Sequence, residues 1–231
     1  NGAAEMDTHF LNAPIKKNLP VWHALMAVWN RNAIGLSTQA VVPYDERLGF
    51  LPSYLQQLVM ESLGKSVGPD NKAVEYATVP VIWGGTGSST QHSFFQALHQ
   101  GSDIVPMDFI GVIKPSHPYT ENHLALLANL FAQTEALANG SQGNELQKNY
   151  AGNRPSSLFL LDELNPHSFG LLLALYEHSV YVQSVIWGIN AFDQWGVELG
   201  KKLASGLMPS LQHKNNQAGD AITQSLLRLI R

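Results

Sequence analysis

The sequence predicts an α/β fold in which a mostly parallel sheet is flanked by helices on both faces. Two observations carry this. Four short apolar runs, Gln39–Tyr44 (QAVVPY), Thr78–Trp83 (TVPVIW), Asp103–Gly111 (DIVPMDFIG) and Ser157–Leu161, read as strands. They alternate with stretches of helical period, as parallel strands joined by helical crossovers do.

Composition sets the outer bounds. The chain has 231 residues, of which 45% are hydrophobic, enough for a sizeable buried core. Its net charge of −4 argues against a nucleic-acid groove or a basic membrane surface. Cysteine is absent, which removes disulfides, thiolate catalysis and cysteine zinc sites and fits a cytoplasmic protein. No apolar run is read as a membrane span. The opening NGAAEMDTHF is polar and has no signal-peptide pattern.

Residues 14–31 read as a helix started by Asn18 and Pro20, with Leu19, Trp22, His23, Met26 and Trp29 at helical spacing. His23 and Trp29 are assigned to packing. After the first strand, residues 46–65 are helical in pattern and place Gln57 and Glu61 four apart on one face. A polar loop, 66–77, leads to the second strand and then to Gly84-Gly85-Thr86-Gly87. The spacing GxGxxG is missing and no GK[ST] follows, so neither a dinucleotide nor a phosphate loop is assigned. A helix is expected from Ser88–Thr90, with His92 in its first turn, where the helix dipole disfavours imidazolium. Residues 124–137 form an amphipathic helix, and 139–152 a polar excursion. Arg154 is held as structural. Asn165-Pro166 starts another helix. The run 181–189 is ambiguous, since its β-branched and aromatic residues favour a strand. Asp193 is expected to cap a helix starting at Gln194, so that Gln194 and Lys201 share one face, with Glu198 paired to Lys201. Pro209 is expected to end that helix. A polar tail follows Gln212, then a short amphipathic helix at 222–230.

Three stretches resemble the phosphoglucose isomerase family. The first is Ser184–Lys201, where Ser184, Ile186, Trp187, Phe192, Asp193, Gln194, Gly196, Val197, Glu198 and Lys201 fill the family's C-terminal signature without a gap. The second is YLQQLVMESLGK, with Gln56, Gln57, Met60, Glu61, Ser62, Gly64 and Lys65 in place and Leu63 where Asn is common. The third runs from Trp83 to Gly101 and includes Gln91, His92, Phe95, Gln96, His99 and Gln100. It departs from the family at Gly85-Thr86 and Ser89-Thr90, in place of Glu-Pro and Asn-Gly.

The resemblance implies an αβα sandwich of the sugar-isomerase (SIS) type plus C-terminal helices. It divides the chain into a helical lead-in (1–35), the sugar-isomerase domain (36–180) and helices carrying the signature (181–231), and it makes residues 181–189 helical. It implies an aldose–ketose isomerase acting on glucose 6-phosphate and fructose 6-phosphate, with Glu61 as the proton shuttle and His92 and Lys201 in ring opening. Gln57 and Gln194 would hold the open sugar, and His99 would pack. Neither a cofactor nor a metal is called for. The resemblance also implies a homodimer in which His92 reaches the neighbouring subunit's site. It runs from about Met6 to the end, so the chain reads as a C-terminal half, inactive without an N-terminal half that carries the phosphate cradle and a Gly-Gly-Arg arginine. The alternatives are a non-catalytic sugar-phosphate sensor of the same fold and an interaction module.

Overall fold

The computed structural model describes residues 1–212 and 219–230. The chain divides into two compact units, Asn1–Ala191 and Phe192–Arg231.

The first unit is built on four parallel strands, β1 (Thr38–Pro43), β2 (Val81–Gly84), β3 (Met107–Val112) and β4 (Ser156–Leu161), in the order β2-β1-β3-β4. Ala40 lies opposite Met107, and Met107 opposite Ser156. Both faces of the two central strands are buried. Ala40, Val42, Tyr44, Met107 and Phe109 point to one side, and Val41 and Ile110 to the other. This explains why both strands read as near-continuous apolar runs rather than alternating ones.

Two expected strands are shorter than their apolar runs. β2 starts at Val81 rather than Thr78. Pro80 has no N–H for a ladder, and Thr78 is tied elsewhere: its hydroxyl donates to the Lys65 carbonyl (2.9 Å), and its own carbonyl accepts from Arg31. β3 starts after Pro106, while the Asp103 carbonyl is taken by Arg154.

Helices cover both faces. On one side lie α1 (Gly2–Asn12), α2 (Leu19–Val28), α3 (Leu51–Leu63) and α7 (Pro166–Ile186); α6 (Thr120–Asn139) and the short α5 (Phe95–Gln100) cover the other. A single helical turn, α4 (Gly87–Thr90), precedes α5. α7 is capped as its sequence predicts, with Asn165 and Ser168 forming a capping box and Pro166 in the first turn. It continues through Ile186, so residues 181–186 are helical. By length and composition α7 reaches what a membrane span requires, contrary to the reading of the apolar runs. It is the core helix of this unit, with α1, α2 and α3 all packed against it.

α1 lies in the lead-in that the resemblance makes helical, although its own residue pattern does not announce it. Only Gly2 and Met6 are buried, so its pattern is faint. Tertiary contacts to α7 hold it: Glu5 pairs with His167 (3.0 Å), Asp7 with His178 (2.7 Å), and Phe10 stacks on the His178 ring. The expected helix over 14–31 is resolved into a 3₁₀ turn (Ile15–Lys17), α2, and a π turn at Trp29–Ala33. Asn18 caps α2 by accepting from the Val21 N–H.

In the second unit, a 3₁₀ turn (Trp195–Val197) leads into α8 (Glu198–Leu211), and α9 (Ala221–Leu229) follows. Asp220 caps α9 by accepting from the Thr223 N–H. Pro209 lies inside α8 and does not end it. Only the final turn follows the proline, and Gln212 N–H closes that turn on the Met208 carbonyl (3.0 Å). The polar tail expected after Gln212 falls largely on residues 213–218, outside the described residues.

Candidate active site

α3 positions the first group. Leu51, Leu55, Val59 and Leu63 bury its inner face, which turns Tyr54, Gln57 and Glu61, at i, i+3 and i+7, to the opposite side. Gln57 is exposed and Glu61 half-buried, and the Gln57 side-chain amide donates to Glu61 Oε2 at 3.2 Å. The helix end beneath Glu61 is fixed from three directions. Lys65 Nζ donates to the carbonyls of Glu61 and Ser62 at 2.7 Å each, which are among those left free at a helix C-terminus. Gly64 turns the chain where a Cβ would lie 2.4 Å from the Met60 carbonyl oxygen. Met60 Sδ accepts from the Ile82 N–H, linking α3 to β2. At the other end of the same face, Tyr54 donates to Glu177 (3.1 Å). Burial, followed by the Glu177 charge, pushes the phenol up to about 12.

The loop after β2 carries His92. Its path is set by packing on Tyr44: a Cβ on Gly87 would lie 2.2 Å from the Tyr44 ring, and Gln91 donates to the Tyr44 hydroxyl at 2.8 Å. Burial raises the Tyr44 phenol, with the Gln91 bond acting in the opposite sense. Two of the four substituted positions, Thr86 and Thr90, are partners in this loop. The Thr90 hydroxyl donates to the Thr86 carbonyl (2.9 Å), which closes the single turn of α4.

His92 itself is exposed, in the turn 91–94 between α4 and α5. It is therefore not in the first turn of a helix, and the dipole argument made for it does not hold. The cause is the break at Ser93–Phe94, where α5 restarts from Phe94. His99 packs, as expected: its ring bonds Gln133 (2.7 Å) and stands edge-on to Tyr150.

The second unit carries the other two positions. Gln194 is exposed and lies before the 3₁₀ turn, with φ −143° and ψ 45°; α8 begins four residues later, at Glu198. Asp193 therefore does not cap a helix beginning at Gln194, and Gln194 and Lys201 do not sit two turns apart on one helix. The turn Trp195–Val197 intervenes. Glu198 and Lys201 do pair, at 2.9 Å, on an exposed surface. Phe192, Asp193, Gln194, Trp195 and Glu198 line a hollow of about 230 Å³. Thus Gln57 and Glu61 form one group, while His92, Gln194 and Lys201 stand on separate segments.

Sequence reasoning missed a buried polar cluster at the centre of the first unit. Asp108 Oδ2, on β3, accepts from His23 (2.9 Å), Gln39 (2.9 Å) and Tyr176 (3.2 Å). The other His23 ring nitrogen bonds Ser179 Oγ at 2.7 Å, and Gln183 donates to the same oxygen. Burial, followed by the Asp108 charge, raises the Tyr176 phenol far above its usual value. Ser179, His23 and Asp108 have the connectivity of a hydrolytic triad, but Ser179 is 0% exposed, so no substrate reaches its hydroxyl. The cluster joins α2, β1, β3 and α7. The available signal was an aspartate inside an apolar strand, which requires buried partners. Arg154 is structural as expected, donating to the carbonyls of Asp103 and Gly101. Among the described residues, no group of three or more His, Asp or Glu side chains is placed to hold a metal ion.

Residues 1–227 match the Phosphoglucose isomerase family. The chain belongs to the phosphoglucose isomerase family. A glucose-6-phosphate isomerase of Stenotrophomonas maltophilia is 60% identical over 230 residues, covering all of this chain and 46% of the relative. One from Xanthomonas oryzae is 58% identical with the same coverage. Among solved structures, a glucose-6-phosphate isomerase from Chlamydia trachomatis superposes with a TM-score of 0.88 at 42% identity, over 99% of this chain and 44% of that one. A hypothetical protein from Thermus thermophilus reaches 0.69 at 26% identity, over 88% and 48%. The chain thus spans about half the length of the phosphoglucose isomerase relatives it matches.

Proposed function

We propose that the full-length protein is a cytoplasmic aldose–ketose isomerase interconverting glucose 6-phosphate and fructose 6-phosphate, and that this chain is its C-terminal half. The observation that carries the reading is Glu61 beside Gln57 on the outward face of α3, in a chain of this family. The reaction first opens the sugar ring, which takes an acid at the ring oxygen and a base at the anomeric hydroxyl. A single base then takes the proton from C2 of the aldose, leaving an enediol, and returns it to C1. Glu61 is that base: the residue is half-buried at a braced helix end, with its carboxylate on the outward face beside Gln57, so it can abstract and return a proton without moving far. His92 and Lys201 serve the ring opening, and the amides of Gln57 and Gln194 hold the open-chain hydroxyls.

The exposed His92 turn is suited to reach a second subunit, so the working form is a homodimer with His92 completing the neighbour's site. The substrate phosphate and the enediolate charge need cationic and hydroxyl groups that the other half supplies. Glu61→Gln in the full-length protein tests the assignment. Turnover falls about 10³-fold or more, within the range of general acid–base contributions, while substrate still binds. Turnover within about threefold of the parent would refute it.

A further inference from the structure

Apart from His23, which reaches inward to Asp108 and Ser179, α2 is apolar, and its large residues point the wrong way for a helix at the edge of a protein. From Leu19 through Trp29, the first residue of the π turn, there is no Asp, Glu, Lys or Arg. The face packed inward carries His23 with the buried Pro20, Ala24 and Ala27. The face turned away from α7 carries Leu19, Trp22, Met26 and Trp29, at i, i+3, i+7 and i+10, exposed by 55, 47, 43 and 59%. A surface helix shows the reverse arrangement, and one that is apolar all round is a buried helix. A contiguous patch with two tryptophans exceeds what monomer surfaces ordinarily leave in water.

We propose that this outward face of α2 is the docking surface for the other half of the same polypeptide, which makes α2 the central helix of a second core shared between the halves. The inference rests on the reading of this chain as half of a longer isomerase. One observation favours that occupant over a second copy: the relatives carry about as much chain again beyond the part matched here. The small residues inside and large ones outside then follow from the packing. α2 meets α7 through a face of small buried residues and His23, whose ring bonds Ser179, and turns its tryptophans toward the space the other half would fill.

The test uses thiol labelling of the full-length protein. This half contains no cysteine, so Leu25→Cys and Met26→Cys each place one thiol on the face, assigned by peptide mass. Labelling should be slowed about 100-fold or more relative to the unfolded protein, and equally at concentrations where the protein is monomeric. Hydroxyl-radical footprinting of Trp22 and Trp29 gives the same reading in the unsubstituted protein. Two results would overturn the proposal: labelling at the unfolded rate, or protection that disappears on dilution from dimer to monomer, which would assign the face to a second copy. Because labelling reads packing and not turnover, an inactive protein with a protected face would refute the isomerase assignment and leave this one standing.

Discussion

Replacing Asp108 by Ala tests whether the buried polar cluster holds the sheet to its helices. The Asp108 carboxylate is 3% exposed and the His23 ring 8%, so neither has water to fall back on. The substitution leaves three donors, from His23, Gln39 and Tyr176, without their acceptor. Each stranded donor costs about 1–3 kcal/mol, nearer the low end where neighbours relax toward it, so the three together cost about 4 kcal/mol. With about 4 kcal/mol lost and about 2–4 °C of Tm per kcal/mol for a unit of this size, Tm should fall by roughly 8–16 °C. Asp108→Asn keeps one acceptor oxygen and should fall less. Far-ultraviolet circular dichroism during heating measures both. A fall of less than about 3 °C for Asp108→Ala would refute the reasoning, since it would mean that the three donors find other partners.

Other outcomes follow from the same geometry. Gly87→Ala drives a Cβ into the Tyr44 ring, so it should cost about 1–3 kcal/mol and loosen the turn that carries His92, read as faster amide exchange over residues 86–94. Lys65→Met removes two bonds to the last turn of α3 and should lower stability by about 1–2 kcal/mol in denaturant titration, with exchange rising at the amides after Glu61. Tyr54, Tyr44 and Tyr176 all have raised phenols. The folded state therefore holds these protons more tightly than the unfolded one. Their contribution is full below about pH 10 and is lost as pH rises through the folded values, about 12 for Tyr54. The alkaline decline in Tm should be shallower in Tyr54→Phe.

The central sheet was legible because β1 and β3 are buried on both faces, and burial writes itself as uninterrupted apolar residues. The Gln57–Glu61 pair was legible because it needs only the helical period. Residues 181–189, ambiguous by propensity and helical by the resemblance, are helical through Ile186, because Ser179, Val180, Gln183 and Ser184 are buried in the core, where packing overrides propensity; Trp187 ends the helix. What local pattern did not reach depended in part on contacts distant in sequence. α1 depends on two carboxylate–histidine bonds and a ring stack to α7 that no local pattern announces. At His92 and Asp193 a helix was started too early. The chain breaks at Phe94 in one case and inserts a 3₁₀ turn at Trp195–Val197 in the other, and both outcomes are set by local backbone geometry finer than residue spacing. Asp108 was visible as an aspartate in an apolar strand, but its partners lie between 68 and 85 residues away.

If this chain carries half of a composite isomerase site, as proposed, coupled isomerase activity should be absent from this chain alone and from the separately produced other half, appear when the two are mixed, and be lost when the mixture carries Glu61→Gln. Turnover by this chain alone near the full-length rate would exclude a shared site.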